Sequence, residues 1–205
     1  MVKQSNNSLI EQNRQIEIVT QQIIRARIYY DIWWFYKGHE TRPDVVEVME
    51  DYSEFLRFDE HAHFVSMIVH SCCIWDKGSK VVSLLQLGRS LLDTKRLTSD
   101  KVLWESFESC ADQFAGLKTI RDKAIAHRSQ SLDYDKAFKV AGIIPDSIKL
   151  MLMESLRLVN ILRVKAGMDE AEFASYPLHH IMGLVSKLGG TDFRPRTAFD
   201  EAFGE

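Results

Sequence analysis

Apolar residues recur at steps of three and four along most of the chain, and this spacing limits the fold more than any other feature. Leu103, Phe107, Cys110, Phe114 and Leu117 follow one another by 4, 3, 4 and 3. That rhythm lays all five on one stripe of an α-helix. Ile16, Val19, Ile23, Ile24, Ile28 and Phe35 predict a long first helix over residues 8–37, ended by Gly38. Thr41-Arg42-Pro43-Asp44 reads as a helix start, with Thr41 as cap, and Val45, Met49, Tyr52 and Phe55 as the inner face that follows. Phe64, Met67, Ile68, Ser71, Cys72 and Trp75 give a third helix, apolar on most sides and broken at Asp76-Lys77-Gly78. Val81, Leu84, Leu87 and Leu91 open a short fourth.

Residues 129–144 carry no clean period and read as an irregular connection. Pro145 opens a helix bearing Ile148, Leu152, Leu156 and Val159, and Tyr176-Pro177 opens another, closed by Gly189-Gly190. No strand-like alternation persists. The expectation is one all-α domain over residues 1–190, an elaborated helical bundle, with a loosely held tail at 191–205. A chain of 205 residues buries enough surface to need no disulfide or metal staple.

Charge and cysteine content narrow the function. The 26 basic and 29 acidic residues leave a net charge of −3, which argues against coating duplex DNA by bulk charge. The polar start lacks a signal-like apolar core, no stretch is long and apolar enough to span a bilayer, and the 3 cysteines are an odd count. A cytoplasmic, non-membrane protein is expected. Cys72 and Cys73 read as buried small hydrophobes. Glu60-His61-Ala62-His63 offers one Glu-x-x-His, and a di-iron bundle needs two, so no metal and no cofactor is expected. Trp33, Trp34, Phe35 and Tyr36 read as core or dimer interface.

The segment with chemical content is Lys118 to Arg128. Eighteen residues after Leu103, at about 100° each, Arg121 returns to the middle of the apolar stripe. A guanidinium there must find a carboxylate, a partner chain or an opening to solvent, because a dry unpaired charge costs several kcal/mol. His127 lies six residues on, about 120° round a straight helix. Joint action therefore needs either a distorted helix or two copies of it. Asp122 can orient either group, and Lys118, Lys123 and Arg128 add positive charge suited to RNA. An imidazole beside a guanidinium suits acid–base work on a phosphodiester, with the ribose 2′-hydroxyl as internal nucleophile.

Arg121-Asp122-Lys123-Ala124-Ile125-Ala126-His127 resembles the signature of HEPN domains, an Arg, a polar neighbour and a His after four to six positions. The surrounding chain is similar to the abortive-infection U type of HEPN family, whose upstream apolar-Asp-Lys stretch ending in Ser-Leu matches Trp75-Asp76-Lys77 and Ser83-Leu84. The resemblance implies a helical homodimer with a metal-independent RNA endonuclease cleft, acting in phage defence or a toxin–antitoxin system with an antitoxin protein as a further partner. On it, His127 is the acid/base, Arg121 the phosphate clamp, Asp122 the orienting group and Asp76 a supporting residue with the option of pairing to Arg121. The other reading keeps the fold but not the turnover, as a module binding a nucleotide, RNA or protein.

Overall fold

The computed structural model describes residues 2–93, 97–126 and 134–189. Every regular element among them is helical: α1 (Val2–Lys37), α2 (Arg42–Asp51), α3 (Ser53–Ile74), α4 (Leu84–Leu91), α5 (Thr98–Gln113), α6 (Ala115–Ile120), a π-helical turn (Arg121–Ala126), α7 (Tyr134–Ala141), α8 (Pro145–Lys165) and α9 (Tyr176–Gly189). None of these helices is long and apolar enough to cross a membrane. The all-α expectation holds, and the tail at 191–205 lies outside the described residues.

The chain forms two compact units. One comprises the chain up to Arg27 with Val65–Phe173, the other Ile28–Phe64 with the chain from Ala174 onward. In the second unit Ile32, Phe35 and Tyr36 of α1 pack with Val45, Val48 and Met49 of α2, Leu56 of α3, and Met182 and Val185 of α9. Trp33, Phe35 and Tyr36 are buried, as their aromatic weight predicts, while Trp34 is part-exposed. The Tyr36 hydroxyl donates to Asp59 Oδ2 at 3.0 Å, so its ring is buried and its polar tip is satisfied.

Local chemistry departs from the sequence reading around α2. Thr41 precedes the helix but makes no side-chain cap; its Oγ1 donates to the Phe35 carbonyl at 2.6 Å, tying the turn back to α1. The helix stops at Asp51 and Tyr52 leaves helical geometry, with φ −116° and ψ 37°. That break shifts the period. Tyr52 and Phe55 are exposed, and Leu56 takes the inner place.

The first unit holds the candidate chemistry. Ile16, Val19 and Ile23 of α1, Met67, Ile68 and Ile74 of α3, Leu84 and Leu87 of α4, Phe107 and Cys110 of α5, and Ile148, Leu152 and Val159 of α8 are buried. Trp75 sits among them, its ring 6.0 Å from Phe107 and 5.7 Å from Phe114. Its indole N–H donates to Ser155 Oγ at 3.0 Å, and Ser155 donates on to the Met151 carbonyl at 2.8 Å. Cys72 is buried as expected, whereas Cys73, one step round α3, is exposed.

The stretch read as irregular contains α7. It buries Phe138 and leaves Val140 exposed, too little apolar pattern over eight residues to announce a helix. Gly116 explains its seat. A Cβ there would lie 2.5 Å from Ile143 Cδ1 and 2.9 Å from the Ala141 carbonyl, so only glycine lets the end of α7 approach α6 this closely.

Candidate active site

The apolar stripe of α5 does not continue as one straight helix. It yields at Phe114, restarts as α6, and widens into the π-helical turn that begins at Arg121. A π-turn closes hydrogen bonds from i to i+5, so it re-aims every side chain beyond its first residue. The helix is thus distorted over Arg121–Ala126. His127 and Arg128 themselves lie outside the described residues.

Arg121 is partly exposed and engaged by its neighbour: Nε donates to Asp122 Oδ1 at 2.9 Å, and an Nη2 contact to the same oxygen is 2.8 Å. The counter-charge demanded by the apolar stripe is therefore Asp122. This hydrogen bond, helped by the negative field of Asp76, holds the guanidinium protonated still more firmly than usual. The alternative pairing with Asp76 is not the one formed. Asp76 Oδ1 instead accepts the Gly78 N–H at 2.7 Å, an Asx-type turn.

That turn is one knot in a built loop. The Asp76 carbonyl accepts the Ser83 hydroxyl at 2.8 Å, and Ser83 caps α4 by accepting the Gln86 N–H at 3.3 Å. Gln86 Nε2 reaches back to the carbonyls of Lys77 and Gly78 at 3.3 and 3.1 Å. The Asp-to-Ser spacing is thus the length of a loop that fastens the end of α3 to the start of α4.

Beside Arg121 lies a cavity of about 420 Å³, lined by Cys72, Trp75, Asp76, Lys77, Gly78, Ala111, Phe114, Ala115, Lys118 and Arg121. Three predicted residues, Asp76, Lys118 and Arg121, meet here. Lys118 precedes Arg121 by three residues, and both side chains reach the same opening. Asp122 touches the site through Arg121, while Lys123 is exposed and not part of the lining. Burial pushes the Cys72 thiol up to about 12 despite the pull of Arg121, so it is a neutral wall rather than a nucleophile. Lys77 was legible only as part of the Asp-Lys pair; the structure adds it to the cavity and sets it 3.4 Å from Asp112. Trp75 and Phe114 looked like core alone, and they are core on one side and cavity wall on the other.

The order of these parts matches a known pattern. The family model of AbiU2 HEPN domains aligns with residues 12–165, which takes in the loop, the seam and the Arg–His segment. The chain belongs to the AbiU2 HEPN family. No curated protein and no solved structure matches it significantly. Within an abortive-infection HEPN chain, the Asp76 loop and the Arg121 turn are two walls of one cavity, although 45 positions separate them in sequence.

Proposed function

We propose that this chain is a metal-independent RNA endonuclease of HEPN type, acting in phage defence or as the toxin of a toxin–antitoxin pair. One observation carries the reading: Arg121 of the family motif opens a π-turn and faces, with Lys118, into a cavity large enough for part of a nucleotide. Membership of the AbiU2 HEPN family supports it.

The chemistry needs two proton transfers and a charge clamp. His127 removes the 2′-hydroxyl proton and the 2′-oxygen attacks the adjacent phosphorus. The bond from phosphorus to the 5′-oxygen breaks, and a second acid returns a proton to that oxygen. The products are a 2′,3′-cyclic phosphate and a 5′-hydroxyl. Arg121 stabilises charge on the non-bridging oxygens, and Asp122 keeps one edge of the guanidinium fixed so the rest can meet phosphate. In a homodimer the His127 of a second copy is the second acid. Lys118, Lys123 and Arg128 carry neighbouring phosphates, and Lys123, exposed and outside the cavity lining, suits a contact further along the strand.

Labelled RNA incubated with purified protein in EDTA tests this. Cyclic-phosphate ends are expected, and both His127→Ala and Arg121→Ala should lower the rate at least ~100-fold with an unchanged melting temperature. Cleavage at equal rates by the variants overturns the assignment. RNA bound tightly with no new ends favours the non-catalytic module.

A further inference from the structure

The cavity holds a group that a phosphate site does not need. Its cationic lining, Lys77, Lys118 and Arg121, suits a phosphodiester, but Asp76 is also part of the lining. A phosphodiester offers no donor to a carboxylate and is repelled by it. Nor is Asp76 a loose surface acid. Gly78 N–H on its Oδ1 and Ser83 on its carbonyl fix it at 2.7 and 2.8 Å. A carboxylate accepts about four hydrogen bonds, so it has acceptor capacity beyond the one from Gly78. Beside it Trp75 and Phe114, both buried, give the cavity an apolar, aromatic wall.

A fixed acceptor, cations and an apolar wall together describe a site for a nucleobase. The base must present adjacent N–H donors to the carboxylate and acceptors to the lysines. Guanine does both: N1–H and the N2 amine lie side by side, and O6 and N7 form an acceptor edge that lysine reads well. Adenine and cytosine set their amine next to a bare ring nitrogen, which faces a carboxylate unfavourably. Uracil flanks its single N–H with two carbonyls. We infer that this cavity is a guanine subsite, in which Asp76 reads N1–H and N2–H, Lys77 or Lys118 takes the O6/N7 edge, and Arg121 meets the phosphate. The inference takes RNA as substrate from the proposal above and adds which nucleotide sits beside the cut.

The test measures binding of the four nucleoside 3′-monophosphates to the full chain by calorimetry. Guanosine 3′-monophosphate should bind at least about tenfold tighter than the other three. Asp76→Asn should remove that preference and leave the other three within about threefold. The amide keeps an oxygen for the Gly78 N–H, so the loop is retained, and a melting curve checks this. Inosine 3′-monophosphate needs no variant: lacking the N2 amine, it should bind the native chain about tenfold more weakly than its guanosine counterpart. Equal binding of all four, no binding of any, inosine matching guanosine, or a preference that survives Asp76→Asn overturns the inference. RNA cut with no guanine bias sinks this subsite and leaves the ribonuclease standing. Guanine-selective binding by a chain that leaves RNA uncut does the reverse.

Discussion

Adding one methyl group at Gly116 and one at Gly183 should move stability in opposite directions. At Gly116 the new Cβ would meet Ile143 Cδ1 at 2.5 Å, Ile143 Cγ1 at 2.9 Å and the Ala141 carbonyl oxygen at 2.9 Å. The isoleucine can turn away in part. The carbonyl is backbone, so the end of α7 must retreat by a few tenths of an ångström. Overpacking of this kind costs about 1–3 kcal/mol, against which alanine gains at most about 1 kcal/mol of helix propensity. The net expectation is destabilisation by about 0–2 kcal/mol. At Gly183, within α9, a Cβ meets nothing within 4 Å. There the propensity term acts alone, and Gly183→Ala should stabilise by about 0.5–1 kcal/mol. Urea midpoints of the two variants measure both signs, and thermal melts should follow at about 2–4 °C per kcal/mol for a chain of this size. Because α6 leads into the Arg121 turn, Gly116→Ala should also slow RNA cleavage, while Gly183→Ala leaves it alone. Stabilisation by Gly116→Ala would refute the close approach of α7 to α6.

Other outcomes follow from single contacts. Ser155→Ala strips the buried Trp75 indole of its acceptor and should cost about 1–3 kcal/mol by calorimetry; a cost near zero would show that the bond is not formed. Asp100 accepts from Lys165 Nζ at 2.6 Å and from the Asp93 N–H at 2.9 Å, which holds its carboxyl below the usual range, the lysine contributing most. A lowered carboxyl stabilises the fold above its unfolded value and loses that effect as pH falls toward its folded one. Asp100→Asn should therefore lower stability at neutral pH and flatten the acid limb of a stability–pH profile; an unchanged limb would sink the argument. Gly167 ends α8 at φ +73°, with the Met168 N–H on the Arg163 carbonyl at 2.9 Å. Gly167→Ala should cost about 1 kcal/mol, read as a lower melting temperature.

Much of the helical architecture was legible because α-helices announce themselves by local spacing. Gly38 ends α1, Pro145 opens α8, and Ile16, Val19 and Ile23 of α1, Met67 and Ile68 of α3, and Phe107 and Cys110 of α5 are buried where their periods put them, while Ile24, Ile28 and Leu103 are part-exposed. The misreadings share one cause. Type or period puts Tyr52, Phe55 and Cys73 inside only if their helices are unbroken or apolar all round. Where Tyr52 leaves helical geometry, the period restarts and the prediction turns over. α7 does not announce itself because Phe138 alone is buried among its described side chains, and its seat depends on a glycine in another helix.

The sequence alone sets Arg121 on an apolar stripe, where a charge or an opening must answer it, since burial of a lone guanidinium is too costly. Its order of motifs also determined the AbiU2 HEPN membership. Which answer is used depends on how the chain packs. Asp122 pairs with Arg121, the helix widens into a π-turn, and the Asp76 loop, 45 residues upstream, forms another wall of the same cavity. Spacing along the chain fixes which face a side chain takes within one helix. Which faces of different helices meet depends on packing over long sequence distances, and no local period carries that information.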